Sequence, residues 1–298
     1  MPSHLSSYYY QITKDQLVLW NAMTLEERRR SYEEISVKRA NFSPEVEVEI
    51  TKIGRVTGEW LIPHELRSDG IIIHLHGGAF AVGNALTHRA IGTHLAMHAG
   101  CKVLMLNYRL CPEHPYPAAL TDVVETFRIL KDRNPNQAIA LSGDSAGGNL
   151  AITATLQLQQ QQQVLPNALG LMCPWTDLKM SNASHQTKAT VDPYFPNSER
   201  LIASAKTYGG QENLTEPLIS PQYAKINAFP PAMTHVGEFE ALHDDGALFH
   251  QKLIDAQLES HFEVFPSMWH VWQHFAGLLP EATDSVEKIA LFLKSKLP

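Results

Sequence analysis

The sequence predicts an α/β fold, a doubly wound and mostly parallel sheet of about eight strands, from three observations. Short runs that are apolar, but for His74, recur at residues 71–75, 103–106, 138–141 and 168–172, as they do in parallel strands buried on both faces. Helix-length stretches at about 87–99, 118–131 and 149–161 separate them, and alternation of this kind builds open sheets with helices on both faces. Between the third apolar run and its helix lies Gly143-Asp144-Ser145-Ala146-Gly147-Gly148. This G-x-S-x-G pattern suits a strand-to-helix turn so sharp that only small neighbours fit beside a lifted Ser145 hydroxyl.

The remaining elements follow in chain order. Residues 8–40 set Leu17, Leu19, Trp20, Leu25 and Ile35 among charges, which predicts two short amphipathic helices packed on the sheet domain from outside. From Glu45 the pattern changes to period two, with Val46, Val48 and Ile50 alternating with glutamates, an exposed antiparallel edge strand whose partner is 55–62. Later strands are expected at 232–236 and 261–264, with helices near 241–256 and 285–294. The tract 159–163 is a solvated helix tail. Residues 179–210 interrupt the alternation after the carboxyl end of a strand, with a short helix near 198–208, and ligands of open α/β sheets bind at those ends. The expected organisation is therefore cap helices in 1–44, a catalytic domain of 45–178 and 211–298, and a cap insertion at 179–210.

Composition narrows the class. The 298 residues carry 24 Lys and Arg against 31 Asp and Glu, a formal charge of −7 with no basic block, so nucleic acid is not an expected partner. Cys101, Cys111 and Cys173 are odd in number and sit in or beside apolar runs, which argues against a disulfide framework. The first twenty residues have no basic and apolar halves of a leader, and no apolar stretch nears membrane-spanning length, so no membrane partner and a cytoplasmic location are expected. Ser295-Lys296-Leu297 is followed by Pro298 and is not a terminal address.

Chemistry collects at the strand ends. His76-Gly77-Gly78-Ala79-Phe80 follows the first parallel strand, where two glycines let main-chain N–H groups converge as an oxyanion hole requires. The expected donors are Gly78 and Ala79, with Ala146 from the elbow, while Gly77 supplies the bend. Asn107 to Pro115 reads as a rigid loop supporting that one, with Glu113 structural. After the later strands come Glu240, Asp244 and Asp245, then His270, giving the chain order serine, acid, histidine of a hydrolase triad. His270 is the candidate base, because His261 falls in a strand, His274 in a helix and His243 competes on proximity alone. Glu240 is favoured over Asp244 as the acid, since it comes first after the strand and the aspartates should already be helical. His94 and His98 lack the glutamate of a zincin and any third ligand, so they read as a solvated helix face, and no metal or cofactor is expected. Phe80, Trp175, Tyr194, Trp269 and Val271 are candidate pocket residues, and Tyr8 to Tyr10 could join them under a lid.

With these motifs in place the sequence resembles the hormone-sensitive-lipase family of α/β-hydrolases, the bacterial family IV carboxylesterases. The likeness runs from about Ile71 to the C terminus through His76-Gly77-Gly78-Ala79, Tyr108-Arg109-Leu110-Cys111-Pro112-Glu113, the Ser145 elbow, Pro174-Trp175-Thr176-Asp177, and the loops of Glu240 and His270. It implies an eight-stranded sheet with a helical cap, a triad of Ser145, Glu240 and His270, esterase activity on short to medium acyl esters, no cofactor and often a homodimer. Three departures bear on substrate range: Ala79 replaces a third oxyanion glycine, Glu240 the usual aspartate, and Val271 the usual glycine after the histidine. Lactone or amide hydrolysis by the same groups, or a non-catalytic binding role on the same scaffold, are the alternatives.

Overall fold

The computed structural model describes residues 3–39, 41–195 and 197–297. The strands are β1 (Val46–Ile53), β2 (Val56–Pro63), β3 (Ile71–Leu75), β4 (Lys102–Asn107), β5 (Ile139–Asp144), β6 (Leu169–Met172), β7 (Ala232–Gly237) and β8 (Ser260–Phe265). They form one sheet in the order β1-β2-β4-β3-β5-β6-β7-β8. The β1–β2 and β2–β4 pairings are antiparallel and the rest parallel, so the edge hairpin and the parallel body fall where the two hydrophobic periods place them.

The helices are α1 (His4–Asn21), α2 (Leu25–Arg39), α3 (Arg89–Ala99), α4 (Ala118–Arg133), α5 (Ala146–Gln160), α6 (Ser184–Thr187), α7 (Glu199–Gly209), α8 (His243–Asp255) and α9 (Pro280–Ser295). Successive strand residues feed opposite faces. Ile73 and Leu104 join the core under Phe127, Leu150 and Phe249 of α4, α5 and α8, while Ile72 and Val103 join the one under Leu95 of α3 and Ile289 of α9. No helix among the described residues is long and apolar enough to cross a membrane.

The two N-terminal helices differ from the expectation of short amphipathic segments. The 18-residue α1 buries Leu17 and Trp20 and is held by packing. Along α2, capped at Thr24, whose hydroxyl and N–H exchange hydrogen bonds with Glu27, the sole fully buried residue is Ser36. It has no apolar stripe to bury and is anchored by a guanidinium instead. Arg29 pairs with both oxygens of Glu113 and donates to the carbonyls of Ala81 and Cys111 at 2.8 Å each.

Candidate active site

The elbow forms because three chain segments meet with no room for side chains. Ser145 takes φ 53° and ψ −118° between β5 and α5, a region costly for any residue with a Cβ. A Cβ on Gly147 would overlap the carbonyl oxygen of Leu75, and one on Gly143 the backbone of Gly147. The turn thus lifts Ser145 to the carboxyl end of the sheet, with helix α5 starting one residue later.

Opposite lies the loop after β3. Gly78, Ala79 and Phe80 all have positive φ, at 115°, 52° and 60°. The 107–115 loop holds this strained path. Tyr108 stacks on His76 at 4.1 Å and its hydroxyl donates to the His76 carbonyl at 2.5 Å, while Cys111 N–H donates to the Phe80 carbonyl at 2.8 Å. The N–H groups of Gly78, Ala79 and Ala146 have no acceptor among the described residues. Gly77 differs: its N–H turns inward to Asp144 Oδ1 at 3.0 Å and His88 Nε2 at 3.1 Å, so it is not a free donor and serves the bend.

His270 Nε2 lies 2.9 Å from Ser145 Oγ. On its other side Nδ1 is 3.8 Å from Glu240 Oε2, an ion-pair approach that a small rotation converts to a hydrogen bond. Glu240 is wholly buried and neither of its oxygens has a hydrogen-bond partner among the described residues. Asp244 is turned to the Ser184 N–H at 2.8 Å, and Asp245 accepts from the N–H groups of Thr176 and Asp177 and from His185. Both aspartates are therefore engaged elsewhere. The competing histidines are as well: His243 faces Asp244, His261 faces Glu259, and His274 Nε2 meets the Tyr32 hydroxyl at 2.9 Å. Val271 stands at φ 47°, where a β-branched residue is strained, and its N–H is received by Cys173 Sγ at 3.3 Å.

Electrostatics favour a charged imidazole. Burial alone would lower the pKa of His270, but Glu240, Asp192 and Asp144 outweigh it and hold the pKa above the ordinary 6.5. Asp192, in the insertion, is buried and accepts the N–H of Ala241 at 2.8 Å and of Tyr194 at 2.9 Å. Burial pushes its own carboxyl up to about 6 against the pull of His270. Asp144 behaves oppositely. Burial would raise it, yet His88 and His74 beside it keep it well below the usual carboxylate range. His88, Asp144 and His274 offer ligand atoms within 4.8 Å of one another, but His88 Nε2 already receives Gly77 N–H, and His274 binds Tyr32, so the group is a hydrogen-bonded hub.

A cavity of about 400 Å³ opens over Ser145. Gly78, Ala79, Tyr194, His270 and Val271 line it, but Phe80, Trp175 and Trp269 do not. The left-handed backbone at Phe80 sends its ring under α7, where it stacks on Tyr208 at 3.7 Å. Trp175 packs behind the elbow, and Trp269 packs against Tyr10 and Phe275. All three are core residues. Among the tyrosines, Tyr10 spans to the insertion, its hydroxyl donating to the Val191 carbonyl at 3.0 Å. His94 is buried, not solvated, beside the Asn41 backbone and Gly277. The sequence reading missed the walls: Trp20, Leu25, Arg28 and Tyr32 from the N-terminal helices, and Arg200 and Ser204 from α7. The spacing of 25, 28 and 32, one face of a helix, was the available signal.

A serine on a strand-to-helix elbow, with an imidazole at hydrogen-bond distance and open main-chain donors opposite, defines the α/β-hydrolase class. A family model described as the alpha/beta hydrolase fold matches residues 72–274. An acetyl-hydrolase of Streptomyces hygroscopicus is 35% identical over 249 residues, 83% of this chain and 82% of its own length. An esterase of Acinetobacter venetianus is 34% identical over 85% of this chain and 84% of its own. The solved structure of an esterase from the bacterial hormone-sensitive lipase family is 34% identical, with a TM-score of 0.92 over 100% of both chains. The chain belongs to the α/β-hydrolase fold family and, within it, to the hormone-sensitive-lipase esterases.

Proposed function

We propose that this chain hydrolyses carboxylic esters of short to medium acyl length through an acyl-enzyme on Ser145, with His270 as base and Glu240 as the acid of the triad. The observation that carries this reading is the 2.9 Å separation of Ser145 Oγ and His270 Nε2 in the cavity that Gly78 and Ala79 also line, with the N–H groups of Gly78, Ala79 and Ala146 free of acceptors among the described residues. In the first half-reaction Ser145 Oγ attacks the ester carbonyl as its proton passes to His270 Nε2. The carbonyl oxygen becomes an oxyanion beside the three N–H groups, each such donor being worth about 10² to 10³ in rate. His270 then returns the proton to the leaving alcohol, and the acyl group stays on Ser145. Water, deprotonated by the same imidazole, releases the acid and restores the hydroxyl. Throughout, the Glu240 carboxylate stabilises the imidazolium and fixes its tautomer. We assign the cover of this site to residues 1–44 and 179–210, whose Tyr10 to Val191 hydrogen bond ties the two parts together.

The test is turnover of a p-nitrophenyl ester series of increasing acyl length by the wild type and by Ser145→Ala. The variant is expected to lose about 10⁶-fold in kcat, as removing such a nucleophile does elsewhere, and to lose labelling by a fluorophosphonate. Turnover within tenfold of the wild type refutes Ser145 as nucleophile.

A further inference from the structure

Two arginines on the cavity wall have no counter-charge among the described residues. Arg28 lies on the α2 face that also presents Leu25 and Tyr32, and Arg200 on the α7 face that presents Ala203 and Ser204. The Nε of Arg28 donates to the Met23 carbonyl at 3.1 Å, and no carboxylate pairs with it among the described residues. The half-buried Arg200 has neither a hydrogen bond nor an ion pair among them.

Other arginines also lack a carboxylate, Arg67 among them, which donates to the carbonyls of Met97 and His98, but those do not line the cavity, and several guanidiniums packed on the sheet domain are neutralised. Arg29 is paired with Glu113, Arg89 with Glu59 and Arg109 with Asp122. With 31 acidic residues to 24 basic ones, carboxylates are in surplus. Burial and the nearby Arg28 both lower the pKa of Arg200, and no acidic side chain offsets them. Two like charges facing one cavity with nothing between them destabilise the empty protein and favour an anion.

We propose that Arg28 and Arg200 form a subsite for a carboxylate at the end of the substrate remote from the scissile carbonyl, so that the preferred esters are acidic ones. This rests on the esterase reading above and adds the substrate class. The position at the wall is consistent with the floor, where Asp144 is the carboxylate that lines the cavity among the described residues and would repel an anion close to Ser145. Guanidinium groups suit the task, because they stay charged at working pH and can grip a carboxylate through two parallel N–H donors.

The experiment compares kcat/KM for matched charged and neutral esters. On the acyl side the pair is the 4-nitrophenyl monoester of adipic acid and its methyl ester. On the alcohol side it is the acetate of 4-hydroxybenzoic acid and the acetate of methyl 4-hydroxybenzoate. Taking each charged-to-neutral ratio in a variant relative to the wild type cancels leaving-group differences.

In the pair that matches the natural orientation, Arg200→Gln and Arg28→Gln are each expected to lower the ratio about tenfold, the scale of one charge-assisted contact. Arg200→Lys should keep most of it, Arg30→Gln, exposed on the same helix as Arg28, should leave it at the wild-type value, and about 0.5 M salt should compress it. Ratios that neither glutamine variant moves in either pair, with the neutral esters turned over, overturn the subsite and leave the esterase reading standing. Failure to hydrolyse any of the four esters overturns both.

Discussion

Replacing Glu240 with glutamine keeps the volume and removes the charge behind His270. At the observed 3.8 Å, and an effective dielectric near 20, the carboxylate and imidazolium attract by about 4 kcal/mol. Lost entirely, that corresponds to about three powers of ten in the imidazole's proton affinity. Asp192 and Asp144 remain and hold part of it, so a fall in His270 pKa of one to three pH units is the range expected (~1–3). The sign follows from the base being active when neutral. In the wild type kcat/KM is lost as pH falls through a pKa held above 6.5; in Glu240→Gln the neutral form persists to lower pH, so the acidic limb moves down. The plateau should also drop by about 10² to 10⁴, because an amide can hold the imidazole in the wrong tautomer. The assay is a kcat/KM profile from pH 4.5 to 9 with a neutral ester. A limb that stays put, with a plateau within threefold of the wild type, would refute Glu240 as the partner of His270.

Two further substitutions test the supports of the site. Gly147→Ala places a Cβ on the Leu75 carbonyl, backbone against backbone, so it should destabilise by about 1–3 kcal/mol or more and lower the melting temperature along with activity; an unchanged melt would mean the elbow has slack. Asp192→Asn leaves one of two backbone N–H groups without an acceptor and takes a negative charge from beside His270. The wild-type carboxyl, raised to about 6 in the fold from an ordinary 3.8, gives stability that is present below 3.8 and lost as pH rises through 6. Urea unfolding at pH 4 and 7 should therefore show the wild type losing, relative to the variant, on the order of 3 kcal/mol across that window, and a constant difference would contradict it.

What could be read in the sequence and what could not have different physical origins. The parallel strands were legible because burial on both faces makes a run uniformly apolar, and the elbow because steric crowding admits only glycine and alanine around Ser145. His270 and Glu240 were singled out by their place after strands β8 and β7, and the fold brings both side chains to the elbow. Phe80, Trp175 and Trp269 were misplaced, though Tyr194 was not, because size and apolarity predict burial but not which side of a loop a ring takes; the positive φ of Phe80 has no sequence signature. Helix α2 was read as amphipathic although its stretch holds almost no apolar face, and its arginines carried the attachment instead. Asp192 and Arg200 left no trace, since their partners lie across an insertion and no periodic pattern links them.

The Asp192 side chain belongs to the segment that contributes Tyr194 and Arg200 to the cavity wall, yet it grips the backbone amide next to Glu240. A swing of that segment that carried Asp192 away would unseat the loop bearing Glu240 and strip one anion from the neighbourhood of the imidazole. On the proposed reading, in which residues 179–210 cover the site and Glu240 is the acid, admission of substrate and readiness to react would be mechanically linked: the doorway would also be part of the latch that arms the reacting groups.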